Sequence, residues 1–308
     1  MESAAHTAFR PQLSGHTIQI ETAAGAVAVH TAGSGPPLLL VHSVNAAASA
    51  AEVRPLHEHY AATHTVFSPD LPGYGATARP DRLYTPRLMT DALHGVARHI
   101  RSQFANQSID ALALSLSCEF LARAAREAPA DYRSLALVSP TGLSGSRPRR
   151  GPAGSTAAMP RLHRALKWFG PGLFALLTRP QVIRFFLRKT WGGPAIDEQM
   201  FEEAVATARA SGAEHAPLSF LSGALFSKDI LSVYESLSLP VWICHGVRGD
   251  FTDYRQKAML EGRPNWQMKV FPAGALPHFE CQSEFCAALD QHLAAGNTSS
   301  PASPPQPH

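Results

Sequence analysis

Ser115 is the residue of this chain best placed to act as a nucleophile. It directly follows the apolar run Ile109-Asp-Ala-Leu-Ala-Leu114 and precedes a helical stretch. Its neighbours two positions away are Ala113 and Ser117, both small enough for a tight strand-to-helix turn. The rival centres fit worse: Ser117 would have Glu119 as a flank, and Cys118 would have Leu116 and Phe120. A serine hydroxyl is a weak nucleophile near neutral pH and needs an adjacent base, itself held by a third group. His278, one of fifteen histidines, stands after the last strand candidate, Gln267–Pro272, and before the last helical stretch. Asp250 and Asp253 follow the run Val241–His245. Such a set performs acyl transfer: the hydroxyl attacks a carbonyl, the imidazole takes its proton, and the carboxylate fixes the imidazole tautomer. The plain alternative is an ordinary turn whose serines have no chemical role.

Those side chains need a frame. His16–Thr22 and Val27–Thr31 alternate by twos, as half-buried strands do. Pro37–Ser43, Thr65–Ser68, Ile109–Leu114, Leu135–Ser139 and Val241–His245 are mainly apolar runs, as expected of strands covered on both faces. Helical patterns follow at Arg87–Phe104, Ser117–Ala128 and Ser283–Ala294. The alternation predicts an α/β fold with a mostly parallel central sheet flanked by helices, and active groups at the carboxyl ends of the strands. From 144 to 235 the pattern turns helical with Pro and Gly punctuation, which predicts a helical cap inserted into a core of residues 17–143 and 236–293. A separate helical domain without a role in the site is the alternative. Residues 1–16 read as a loose N-terminal arm, and the Pro- and Ser-rich end, 294–308, as a disordered tail.

The stretch Ala113-Leu-Ser-Leu-Ser117 resembles the nucleophile elbow of the α/β-hydrolase superfamily, with Ala and Ser in place of the two glycines of G-x-S-x-G. Asp70-Leu-Pro-Gly-Tyr-Gly75 resembles a turn common in that family and is read as structural. Leu40-Val-His-Ser-Val-Asn-Ala46 resembles its oxyanion loop, with Ser43 replacing a usual glycine. Ala273-Gly-Ala-Leu-Pro-His-Phe-Glu280 resembles its histidine loop. The resemblance implies a triad of Ser115, Asp250 and His278, in the family's order of Ser, acid, His. Asp253 is assigned a helix N-cap role. It also implies an oxyanion hole made by the amides of Leu116 and Val44, with Ser43 as second choice, and His42 bracing the loop. Asn45, His215, Trp168 and Phe174 are candidates for the substrate pocket, with packing or capping as the rival role for His215. No metal and no cofactor are implied.

Composition narrows the partners. The net charge of +3 and 17% charged residues are too balanced for a dedicated nucleic-acid binder. The four cysteines form no CxxC pair and fit no zinc spacing. No signal-like or membrane-spanning run is seen, so a cytoplasmic location is expected. Between Ser144 and Trp191 there are ten Lys or Arg and no Asp or Glu, interleaved with Trp168, Phe169, Phe174, Phe185 and Phe186. A basic amphipathic stretch of this kind can touch a membrane surface or an anionic lipophilic substrate, and a solvated basic face over an apolar core is the rival. The expected activity is hydrolysis of a small lipophilic carboxylic ester or thioester through an acyl-enzyme. The alternatives are a C–C bond hydrolase or lyase on the same triad, and a non-catalytic ligand-binding protein. Oligomeric state is not legible in the sequence.

Overall fold

A computed structural model describes residues 13–105 and 107–298. Most of the expected arm, residues 1–12, and most of the expected tail, residues 299–308, lie outside the described residues. The chain opens with β1 (His16–Thr22), β2 (Gly25–Ala32) and β3 (Pro37–Val41), then α1 (Arg54–Tyr60) and β4 (Thr65–Pro69). Next come α2 (Pro86–Gln103), β5 (Ile109–Leu114), α3 (Ser117–Glu127) and β6 (Tyr132–Val138). The insertion carries α4 (Pro160–Leu177), α5 (Pro180–Trp191), α6 (Glu198–Thr207), α7 (His215–Leu221) and α8 (Ile230–Glu235). The chain then returns to the sheet with β7 (Val241–Gly246) and β8 (Trp266–Phe271), and ends in α9 (Pro277–Glu280) and α10 (Gln282–Thr298). Because α10 runs to Thr298, residues 294–298 are helical rather than part of a disordered tail.

The eight strands form one sheet in the order β1-β2-β4-β3-β5-β6-β7-β8. The β1–β2 and β2–β4 pairs are antiparallel and every other pair is parallel. The pleat of β5 explains why its sequence is apolar apart from Asp110, which accepts from Arg133 and Ser134. Ile109, Ala111 and Ala113 face a core shared with α2, α3 and α8, while Leu112 and Leu114 face a second core shared with α1 and α10. All six residues of β5 are buried, so its carboxyl end is held firmly in the middle of the sheet.

The insertion is fastened to the core by buried charge. Arg123 of α3 makes a bidentate pair with Asp229, at 2.7 and 3.2 Å, and Asp229 also accepts the Gly154 amide. Glu119 of α3 is fully buried and accepts from the Thr141 hydroxyl and the Ser227 amide. Burial pushes its pKa up, against the opposing pull of those donors. Within the insertion the described residues form no strand beyond one isolated bridge, Thr156 to Ser227, as the helical pattern predicted.

Candidate active site

Ser115 sits where β5 ends and α3 begins, with its backbone in the left-handed region at φ 52°. A side chain held there costs of order 1–3 kcal/mol and persists only where the surroundings enforce it. Here the Ser115 amide donates to the Val138 carbonyl of β6 at 2.8 Å, and the Ser115 carbonyl accepts from the Cys118 amide at 3.2 Å. The two bonds fix the turn from both sides. Ala113 and Ser117 are fully buried, and Ser117 Oγ has no hydrogen-bond partner. The small-residue flanks therefore do what the turn demands. Ser139, after β6, repeats the left-handed geometry at φ 49°, and its hydroxyl donates to the Ala275 carbonyl at 2.7 Å. Nothing in the sequence reading had singled out Ser139.

The loop after β3 is held by Glu52, a carboxylate only 3% exposed. It accepts from the Ser43 amide at 2.8 Å and from Asn45 Nδ2 at 2.6 Å. Asn45 also donates to Ser43 Oγ and accepts the Ala47 amide. Two expectations are corrected here. The Ser43 amide is already spent on Glu52 and is no oxyanion donor. The Asn45 side chain is fully engaged inside its own loop rather than offered to a substrate. Val44 and Leu116 are buried, and neither backbone N–H has an acceptor among the described residues. His42 braces the loop as expected: Nδ1–H donates to the Ser43 carbonyl, and Nε2 accepts the Leu71 amide. Asp70 is likewise structural, bonded to His30 and to the amides of Ala50 and Ala76. Glu52 was missed in the sequence, although a lone carboxylate in the small apolar run Ala46–Val53 is the signature of a buried charge with a fixed partner.

The histidine side is built differently from the expectation. His278 lies in the short helix α9, fully buried against Phe279 and Phe285. Its Nε2 is 2.8 Å from the Glu52 carbonyl. A carbonyl can only accept, so the proton is on Nε2. Nδ1 is then a bare lone pair, buried and without a partner. Desolvation drives the pKa down to about 4, with the Glu52 bond pulling weakly the other way. A base for serine needs the reverse wiring, with a free Nε2 at the hydroxyl and Nδ1–H on a carboxylate.

Asp250 is equally far from its expected role. Its side chain is 55% exposed and pairs with Lys189 Nζ at 3.3 Å. Among the described residues no hydrogen bond joins Ser115 to His278, or His278 to Asp250. The physical reason is the last turn of α5. Its Lys189 and Thr190 carbonyls accept from the amides of Asp250 (3.3 Å) and Ala275 (2.8 Å), so it is stitched to both the β7 and β8 loops. The fit is close: a Cβ on Gly274 would lie 2.4 Å from the Thr190 carbonyl oxygen. The loops also bond each other, as the Val247 and Arg248 amides donate to the Ala273 carbonyl and Arg248 pairs with Glu280. Asp253 accepts from the Gly145 amide and from Arg255, side chain and backbone, but the N-cap of the 3₁₀ helix that follows is Tyr254, so Asp253 ties loops together and is not the cap expected.

The pocket candidates separate. Phe174 is buried with Ile183, Ala204, Ala208 and Ala213, and Ala46 and Ala47 of the Glu52-held loop pack against that cluster. Trp168 is 93% exposed, open to solvent rather than enclosed in a pocket. His215 lines a cleft of about 180 Å³ with Asp81, Arg82, His163 and Lys167, and none of Val44, Ser115 or Leu116 borders it.

Comparison with known proteins agrees with this fold. The alpha/beta hydrolase family matches residues 8–289, and the chain belongs to it. Among solved structures it is similar to a thermophilic esterase from Thermogutta terrifontis, at 22% identity and a TM-score of 0.67, covering 92% of this chain and 99% of that one. It is similar to a serine hydrolase involved in carbazole degradation, at 15% identity and a TM-score of 0.73, covering 91% and 99%. A meta-cleavage product hydrolase from Pseudomonas fluorescens gives 14% identity and a TM-score of 0.68, covering 90% and 97%. No curated protein matches the sequence.

Proposed function

We propose that this chain binds a carboxylic ester or thioester at the β5–α3 turn and that Ser115 is its nucleophile. The observation that carries the reading is the strained backbone of Ser115, followed by the buried Leu116 amide and neighboured by the loop after β3 that holds the buried Val44 amide, neither amide having an acceptor among the described residues. A backbone strained at a polar residue is kept where it presents that residue, and donors without an acceptor suit a carbonyl oxygen gaining negative charge. Attack forms the Ser115–acyl bond and breaks the bond to the leaving alcohol or thiol; water then releases the acid and restores the serine. His278 serves as proton acceptor in this scheme only in a conformer whose Nε2 has left the Glu52 carbonyl. The same Ser and His would be needed for C–C cleavage, so esters and 1,3-diketones must be compared directly.

A second reading has its own observation. The Nε2–H of His278 is committed to a carbonyl, and Asp250 faces Lys189, so the fold suits binding of an acyl ligand without turnover. A fluorophosphonate probe separates the two. Hydrolysis predicts a label on wild-type protein that disappears in Ser115→Ala, with turnover of aryl esters. An unlabelled wild type that still binds a carboxylate ligand at the turn would displace the hydrolytic reading.

A further inference from the structure

We propose that the outer face of α4 and α5 is a docking surface for an anionic lipid bilayer. This inference is independent of the chemistry at Ser115, because it rests only on residues exposed on the inserted helices. On α4, Arg161, Arg164, Trp168, Phe169 and Leu176 are all exposed, while Lys167 turns to the His215 cleft and pairs with Asp81. On α5, Phe185, Phe186 and Arg188 are exposed as well. The opposite faces of both helices are spent on packing, through Leu166, Phe174 and Ile183.

Two features point to lipid rather than to water or to another protein. The first is aromatic side chains left in solvent. Trp168 at 93% exposure, with Phe169, Phe185 and Phe186 each more than half exposed, forms the apolar half of an interfacial helix pair. Aromatic rings of this kind favour the headgroup level of a bilayer. The second is one-signed charge. The segment from Ser144 to Trp191 has ten cations and no anion. Several cations elsewhere in the segment are answered from outside it, as Arg150 is by Glu235 and Arg184 by Glu198. Arg161, Arg164, Arg179 and Arg188 have no ion-pair partner among the described residues. Free cations flanking exposed aromatics are what an anionic leaflet recognises, and a neutral leaflet offers only the apolar half of the interaction. No helix among the described residues is long and apolar enough to cross a membrane, so the contact is peripheral.

The chain carries its own reporter. Trp191, Trp242 and Trp266 are buried, which leaves Trp168 as the tryptophan open to a soluble quencher. Titration of the full chain with phosphatidylglycerol vesicles should shift its emission to the blue and shield it from iodide. Phosphatidylcholine vesicles should do neither. Removing two cations with Arg161→Gln and Arg164→Gln should weaken binding about 30-fold, and added salt should weaken wild-type binding in the same sense. Trp168→Ser with Phe169→Ser should abolish flotation with vesicles while leaving the circular dichroism spectrum unchanged, since both side chains are exposed. Failure to bind phosphatidylglycerol vesicles, or equal binding to both lipids, would overturn the proposal. So would a stable dimer in light scattering that the Trp168→Ser, Phe169→Ser variant converts to monomer, because the face would then be covered by a second copy.

Discussion

The two halves of the candidate site are held by different kinds of bond. On the β5–β6 side, backbone pairing in the middle of the sheet fixes Ser115, and a buried carboxylate, Glu52, fixes the loop that carries Val44. The amides of Leu116 and Val44 are left open there, and Ser117 Oγ is buried without a partner. On the β7–β8 side, the loops are tied to the last turn of α5 and to each other, and the side chains expected to do chemistry point elsewhere. His278 faces a carbonyl and two phenyl rings; Asp250 faces a lysine at the surface. The difference teaches that an elbow can be read from strand order alone. A proton relay depends on loops whose course is set by whatever packs on them, which here is an inserted helix.

The comparison can be broken or sharpened by mutation. The largest effect belongs to Ser115→Ala, which should lower ester turnover by roughly 10⁴-fold or more and remove fluorophosphonate labelling, since a nucleophile has no substitute. Retained turnover would show that the ordered half is scaffolding. His278→Ala should cost about 2–4 kcal/mol in denaturant unfolding, the usual price of emptying a buried aromatic-lined site. If the rate of labelling per folded molecule is unchanged in that variant, His278 is structural; if it collapses, the imidazole reaches the serine in a minor conformer.

The acid range tests the same residue without mutation. His278 is neutral in the folded chain, with a pKa of about 4 against an ordinary 6.5. Below pH 6.5 the unfolded chain takes up a proton there that the folded chain refuses. Stability should therefore fall as pH drops from 6.5 towards 4, by up to about 3 kcal/mol from this group, and His278→Ala should lose that share of the slope. His57, His64, His245 and His292, whose pKa values burial also lowers, push in the same direction.

Smaller effects probe the flanks. Ser117 Oγ is buried without a partner, so Ser117→Ala should raise stability by about 1 kcal/mol and leave labelling unchanged. The smallest effect is expected at Asp250. An acid that oriented the catalytic imidazole would cost about 10⁴-fold in turnover when changed to Asn. An exposed carboxylate paired with Lys189 predicts unaltered turnover and a stability change within about 0.5 kcal/mol. A large loss in Asp250→Asn would restore the triad wiring and refute the division drawn here.

Residue type and order alone determined the sheet, its parallel middle, the helical insertion and the position of Ser115. Those features follow from local periodicity and from the need of a tight turn for small neighbours, and both are written in consecutive residues. That the Ser43 amide is taken while the Val44 amide stays open was legible only in part, because it depended on where the Glu52 carboxylate would lie nine residues after Ser43. The partners of His278 and Asp250 were decided by tertiary structure alone. Position after a strand fixes which loop a side chain occupies, but not its direction. That direction depends here on contacts between residues far apart in the chain: Glu52 with His278, and the end of α5 with the loops after β7 and β8. Such contacts leave no periodic trace in the sequence, and burial, rather than residue type, then set the protonation state of the imidazole.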